Sequence, residues 1–192
     1  MLLRYARQQV ENLRRGTGWE AEYPRDLWRL RELGTPGHCG RIRFDRIPQP
    51  WLKDLAKRWL RWQVSTAGSS DTAFRGAAAI TRFGQFLARP QVNVDRLADI
   101  DRGLLERYLA DLHRALAGKT AHKQHIGSLN AFFQAIRRHG WDDSLPASAM
   151  FFPDDYPKRT HERLPRALAE QVMAQVEDPT NLDRWDNPDR LL

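Results

Sequence analysis

Residues 119–140 read KTAHKQHIGSLNAFFQAIRRHG, and this stretch decides the fold. Ile126, Leu129, Phe132, Phe133 and Ile136 recur at spacings of three and four, the mark of a helix with one face in a core. The spacing predicts a helix from about Lys119 or Thr120 to His139, stopped by Gly140. Its opposite face carries Lys119, Thr120, Lys123, Gln124, Gly127, Asn130 and Gln134. No Asp or Glu occurs from Lys119 to Arg138. A face built only for solubility mixes both charge signs. Here Lys and Thr suit phosphate, Gln and Asn can pair with adenine edges in a major groove wide enough for a helix, and Gly127 removes bulk. The surface points to a polyanion.

Three more helical patterns precede it. About Pro50 to Ser65, Leu52, Leu55, Trp59 and Trp62 make one apolar stripe; Ala67-Gly68-Ser69-Ser70 breaks it. From about Asp71 to Ala88 the stripe is Ala73, Gly76, Ala79, Ile80, Phe83 and Leu87, with Ser70 or Asp71 as N-cap. Its small residues would admit another helix, or DNA, at close range. The third helix carries Leu104, Leu105, Tyr108, Leu109, Leu112 and Leu116 and stops at Gly118. Four amphipathic helices with short connections imply a helical bundle. On the second helix Arg75, Arg82 and Arg89 stand seven apart, nearly two turns, and so line one side. A solvent-facing row is the ordinary reading of such charges; a contact with a phosphate backbone is the functional one.

The flanks are less regular. Leu2–Arg15 and Asp26–Leu33 predict short helices, and Arg41–Ile47 alternates like a short strand or arm. After Trp141, Pro146, Pro153 and Pro157 with Asp142, Asp143, Asp154 and Asp155 predict an extended acidic linker. Arg166–Glu177 predicts one more helix, and the ending Asp189–Leu192 resembles the opening of another. The expected organisation is an extension over 1–49, a helical DNA-binding domain over 50–140, and over 141–192 a linker leading into the start of a truncated further domain.

The net charge of +7 is unevenly spread. Residues 51–140 hold 15 Lys and Arg against 7 Asp and Glu, whereas residues 141–192 hold 6 against 11. A basic centre attracts nucleic acid. The single cysteine, Cys39, excludes an internal disulfide and a multi-cysteine zinc site. No stretch is apolar enough to span a bilayer, and charges every few residues up to Arg15 exclude a signal peptide, so a cytoplasmic protein without membrane partners is expected. His122 and His125 have metal-compatible spacing but no third ligand nearby, and His38-Cys39 is no better supplied, so neither metal nor cofactor is expected. No Gly-rich phosphate loop, nucleophile elbow or zinc motif is present. Asp99 and Asp101 suit a helix cap better than catalysis.

The rhythm Thr72…Ile80-x-x-Phe83-x-x-Phe86-Leu87, Leu97-x-x-Ile100-Asp101, Leu105-x-x-Tyr108-Leu109-x-x-Leu112, Lys119-Thr120 and His125–Phe133 resembles the core-binding (SAM-like) domain of tyrosine recombinases and phage integrases. The likeness runs from roughly Pro50 to Glu177, with Arg163–Leu168 resembling the opening of the catalytic domain. It implies an all-α, four-helix core-binding bundle whose second and fourth helices face duplex DNA. Arg75 and Arg82, then Lys119, Thr120, Lys123, Gln124 and Gly127, would form that face. The family's Arg cluster, Lys, H-x-x-R motif and tyrosine nucleophile belong to the later domain. No such motif begins at His113, His122 or His161, and Tyr108 sits in a core stripe. The expectation is a chain that binds specific DNA sequences without cutting them, from a parent that recombines DNA and whose protomers meet on it. A stand-alone DNA-binding regulator and a helical protein-interaction adaptor are the alternative readings.

Overall fold

The computed structural model describes Val10 and residues 16–33, 40–66, 69–117, 119–157 and 170–182. The helix expected over Leu2–Arg15 lies outside these residues apart from Val10, as do His38, Cys39, Gly118, Arg163–Leu168 and Asp189–Leu192. The chain is predominantly α-helical, with one small two-stranded sheet. It divides into a unit up to Pro157 and a second from Lys158.

A short helix α1 (Trp19–Glu22) leads to β1 (Leu27–Arg29), which pairs antiparallel with β2 (Arg41–Arg43), Trp28 opposite Ile42. The helix expected over Asp26–Leu33 is therefore replaced by a strand and a 3-10 turn, Leu30–Leu33. An eight-residue helix gains little by itself, and pairing with β2 aims both Trp28 and Leu30 inward, fully buried. The Trp28 ring packs edge-on against Phe44 at 4.6 Å and Trp19 at 5.2 Å. The Glu22 carboxylate, buried below, accepts from Arg25 and from the Arg29 amide at 2.9 Å.

Four longer helices follow. Helix α2 (Pro50–Ser65) opens on a proline, whose missing N–H costs nothing there. Helix α3 (Ser70–Leu87) is capped by Ser69, whose Oγ accepts from the Thr72 amide at 3.3 Å. Helix α4 (Arg102–Leu116) is capped by Asp101, which accepts from the Leu104 amide at 2.7 Å. Helix α5 (Thr120–His139) ends at Gly140, whose left-handed φ of 56° suits glycine. Helix α3 packs on α2 and α5, and α5 also touches α2 and α4. The small residues of α3 serve these internal contacts: Ala73, Gly76, Ala77 and Ala79 are buried, and a Cβ on Gly76 would lie 2.6 Å from the Trp59 ring. Phe83 meets Tyr108 at 5.0 Å and Phe133 at 5.9 Å, and Trp59 meets Phe132 at 5.4 Å.

The stretch after Trp141 is packed rather than extended. Leu145, Ala149 and Phe151 are buried in the same core. An Arg137 Nη donates to the carbonyls of Pro146 and Ala149, each at 2.7 Å. Arg102 holds Asp155 at two points, both 2.7 Å. Its prolines and aspartates read as a linker because the anchoring arginines lie on other helices. In the second unit the described elements are α6 (Glu170–Val176) and α7 (Pro179–Leu182), with Val172 and Met173 exposed.

Candidate nucleic-acid interface

Helix α5 turns Ile126, Leu129, Phe132, Phe133 and Ile136 into the core. That fixes what faces outward. Lys119, Thr120, Lys123, Gln124 and Gln134 are exposed, while Gly127 and Asn130 are half-buried. Ala131 and Arg138 complete the same exposed stripe. The steps 127, 131, 134, 138 carry the helical period, so both positions follow from the sequence.

Within the described residues the space beside Gly127 is open. A Cβ built there meets nothing within 4 Å, in contrast to Gly76 and Gly84, which are hemmed in by Trp59 and by Gln49, Leu52 and Ile47. Glycine in mid-helix costs roughly 0.5–1 kcal/mol relative to alanine.

Most cations of the other long helices are paired; among the described residues Arg61, Arg82 and Arg107 are the ones there without an ion pair. On α2, Lys53 and Lys57 pair with Asp26, and Arg58 pairs with Asp54. On α4, Arg102 pairs with Asp155 and Glu106, and Arg114 approaches Asp111 at 3.7 Å. Among the described residues Lys119, Lys123, Arg137 and Arg138 form no ion pair, and only Arg137 is engaged by backbone carbonyls. The opening turn of α5 has neither a side-chain cap nor an acidic residue. Its amide groups and helix dipole therefore add positive potential beside Lys119 and Lys123.

The arginine row of α3 is not a uniform outward ridge. Arg75 is exposed and faces Asp71 loosely, at 3.8 Å. Arg82 is half-buried, and its Nε is shut away from solvent without an acceptor. Its charge is felt by Tyr108, Asp111 and His125, so it leans into the joint with α4 and α5. Arg89 is tied to Asp111 and lies over the Phe86 ring. The spacing of seven gave the side of the helix but not its neighbours, and a seven-residue repeat also drifts around a straight helix.

His122 is buried, and burial followed by the charges of His113 and His125 lowers its pKa below the usual histidine value. His125 is lowered too, chiefly by burial, while its Nδ1 lies 2.8 Å from the Ala121 carbonyl oxygen. Among the described residues no group of three His, Cys, Asp or Glu is placed to hold a metal ion, and no helix is long and apolar enough to cross a membrane. Tyr108 is buried between Phe83 and Phe86, and desolvation raises its pKa strongly, which is the reverse of an activated nucleophile. The chain does spell H-x-x-R once, at His38-Cys39-Gly40-Arg41, which the sequence reading passed over. It stands ahead of the four helices; His38 lies outside the described residues, and Arg41 is an exposed residue of β2.

Comparison with known proteins finds relatives among transposases. The chain is 26% identical over 162 residues to transposase B from transposon PsiTn554 of Staphylococcus aureus. It is 27% identical over 165 residues to transposase B from transposon Tn554 in S. aureus strains Mu50 and N315. Each alignment takes in 81% of this chain and 25% of the relative, so the chain spans about a quarter of the length of the curated relatives it matches. No family model and no solved structure matches it significantly. The protein is a helical domain related to mobile-element transposase proteins.

Proposed function

We propose that this chain grips duplex DNA through the outward face of α5, as the core-binding part of a mobile-element recombinase of the tyrosine class. Lys119, Lys123 and Thr120 would hold phosphates, and Gln124 would reach base edges. Gly127 would let the groove wall close on the helix, while Arg75 and Arg82 would flank it from α3. The observation that carries this reading is the set of unpaired cations on α5 beside a glycine with open space over it. The likeness to transposase B proteins supports it.

Residues 50–140 would be the DNA-binding body, 1–49 an added extension and 141–192 the lead into the rest of the parent. Strand cutting by a tyrosine, leaving a 3′-phosphotyrosine, would fall to that remainder, and protomers would meet on the DNA. The test is a gel-shift titration of the chain on duplex DNA across a salt series. The expected log–log slope is several units, at roughly 0.9 per phosphate contact. Failure to bind duplex at low salt, with the helical fold intact, overturns the reading and favours an adaptor for an acidic protein.

A further inference from the structure

A cleft of about 850 Å³ opens between α4, the turn after α3 and the segment ending at Pro157. That volume falls within the range typical of small-ligand sites. Its lining includes the apolar side chains of Phe86, Val92, Leu109, Tyr156 and Pro157. It also includes Arg107, His113, Arg114 and His122. Arg107 has no ion pair among the described residues, and Arg114 reaches only Asp111, which Arg89 already engages. Asp155 is neutralised by Arg102, which leaves Asp154 as the unpaired carboxylate of the lining. The balance is cationic.

His122 is a further member of the lining. It is 4% exposed, and its Nδ1 has no hydrogen-bond partner. It lies beside the His113 ring, at 5.7 Å between centroids, in the lining of the cleft.

We propose that this cleft binds a nucleoside phosphate, with the flat base along Tyr156 and Leu109, both only half-buried in its lining. The phosphate meets the exposed Arg107 and Arg114, whose planar donor forks suit it. The ligand could be a free nucleotide or the terminal nucleotide of a DNA strand. The proposal does not depend on the duplex-binding reading.

The test is calorimetric titration of the full chain with adenosine monophosphate, inorganic phosphate, and oligonucleotides with and without a 5′-phosphate. Saturable binding of adenosine monophosphate, with inorganic phosphate much weaker, is expected. Arg107→Gln combined with Arg114→Gln should weaken it at least about tenfold, the loss expected for charge-assisted hydrogen bonds, without lowering Tm. Lys123→Ala should leave it unchanged. Tighter binding of the 5′-phosphorylated oligonucleotide than of its unphosphorylated counterpart assigns the source as a strand end; no difference between the two assigns it as a free nucleotide. Absence of binding at millimolar nucleotide overturns the proposal. So does inorganic phosphate binding as tightly as the nucleotide, or an equal loss in Lys123→Ala, which would put the anion on α5 instead.

Discussion

Arg89 and Asp111 meet as a two-point pair, Nη1 to Oδ1 at 2.6 Å and Nη2 to Oδ2 at 3.1 Å, joining the end of α3 to the middle of α4. The carboxylate is mostly buried and the guanidinium partly exposed. The pair holds the Asp111 carboxyl below the usual carboxylate range, chiefly through the hydrogen bond from Arg89. Arg89→Ala should therefore cost about 1–2 kcal/mol in urea unfolding, between a surface pair and a buried one. Duplex affinity, read by gel shift, should stay within about twofold, since this arginine is committed internally. A larger loss of affinity at unchanged stability would return Arg89 to the DNA face.

The cations of α5 predict a different outcome. Lys119→Ala with Lys123→Ala should leave the unfolding midpoint nearly unchanged and flatten the salt slope of duplex binding by about two units, at roughly 0.9 per contact. Gln124→Ala should change sequence preference; an equal loss on every sequence would make it a backbone contact. An unaltered slope in the double variant would remove α5 as the face.

Gly127 separates stability from binding. Gly127→Ala should stabilise the chain by about 0.5–1 kcal/mol, because a Cβ there meets open space in a helical backbone. Gly127→Gln should fold equally well yet lower duplex affinity by about tenfold or more, since the longer side chain fills the approach to the groove. Unchanged affinity in Gly127→Gln would mean that nothing seats against this position.

Gly76 is the counterpart in the interior. Gly76→Ala sets a Cβ 2.6 Å from the Trp59 ring, so α2 and α3 must part or the indole must turn. The expected cost is about 1–3 kcal/mol. Denaturant melts of the two alanine variants should move in opposite directions, and a stabilised Gly76→Ala would contradict the packing of α2 on α3.

The histidines set a pH dependence. His122 and His125 are held below the ordinary value of about 6.5, both chiefly by burial. The unfolded chain then binds more protons than the folded one between the two values. Stability is full above about pH 6.5, declines as the pH falls through it, and levels off below the folded pKa. Urea midpoints at pH 7.5, 6.5 and 5.5 should decrease in that order, and His122→Gln should reduce the slope. A midpoint that rises on acidification would refute the assignment.

What the sequence could disclose was whatever repeats along a single helix. Ile126, Leu129 and Phe133 mark the inner face of α5, and Lys123 and Gln124 follow as the outer one. Pairing between elements was not legible. Trp28 and Leu30 belong to a helical-looking octapeptide until Ile42 arrives across the sheet. Arg82 lies off the apolar stripe of α3, yet Tyr108 and His125 come from helices that a wheel drawn for α3 does not contain. Arg75 remains exposed, as the spacing implied.

The strapping of Asp155 to Arg102, and of two loop carbonyls to Arg137, fixes the stretch after Trp141 to the helical unit. A free linker from Trp141 would give whatever follows roughly 50 Å more contour, at about 3.3–3.6 Å per residue, than one that departs at Pro157. Residues 142–157 therefore add rigid body to the first unit rather than contour. Removing the Arg102–Asp155 pair would loosen that stretch without altering any residue of α5.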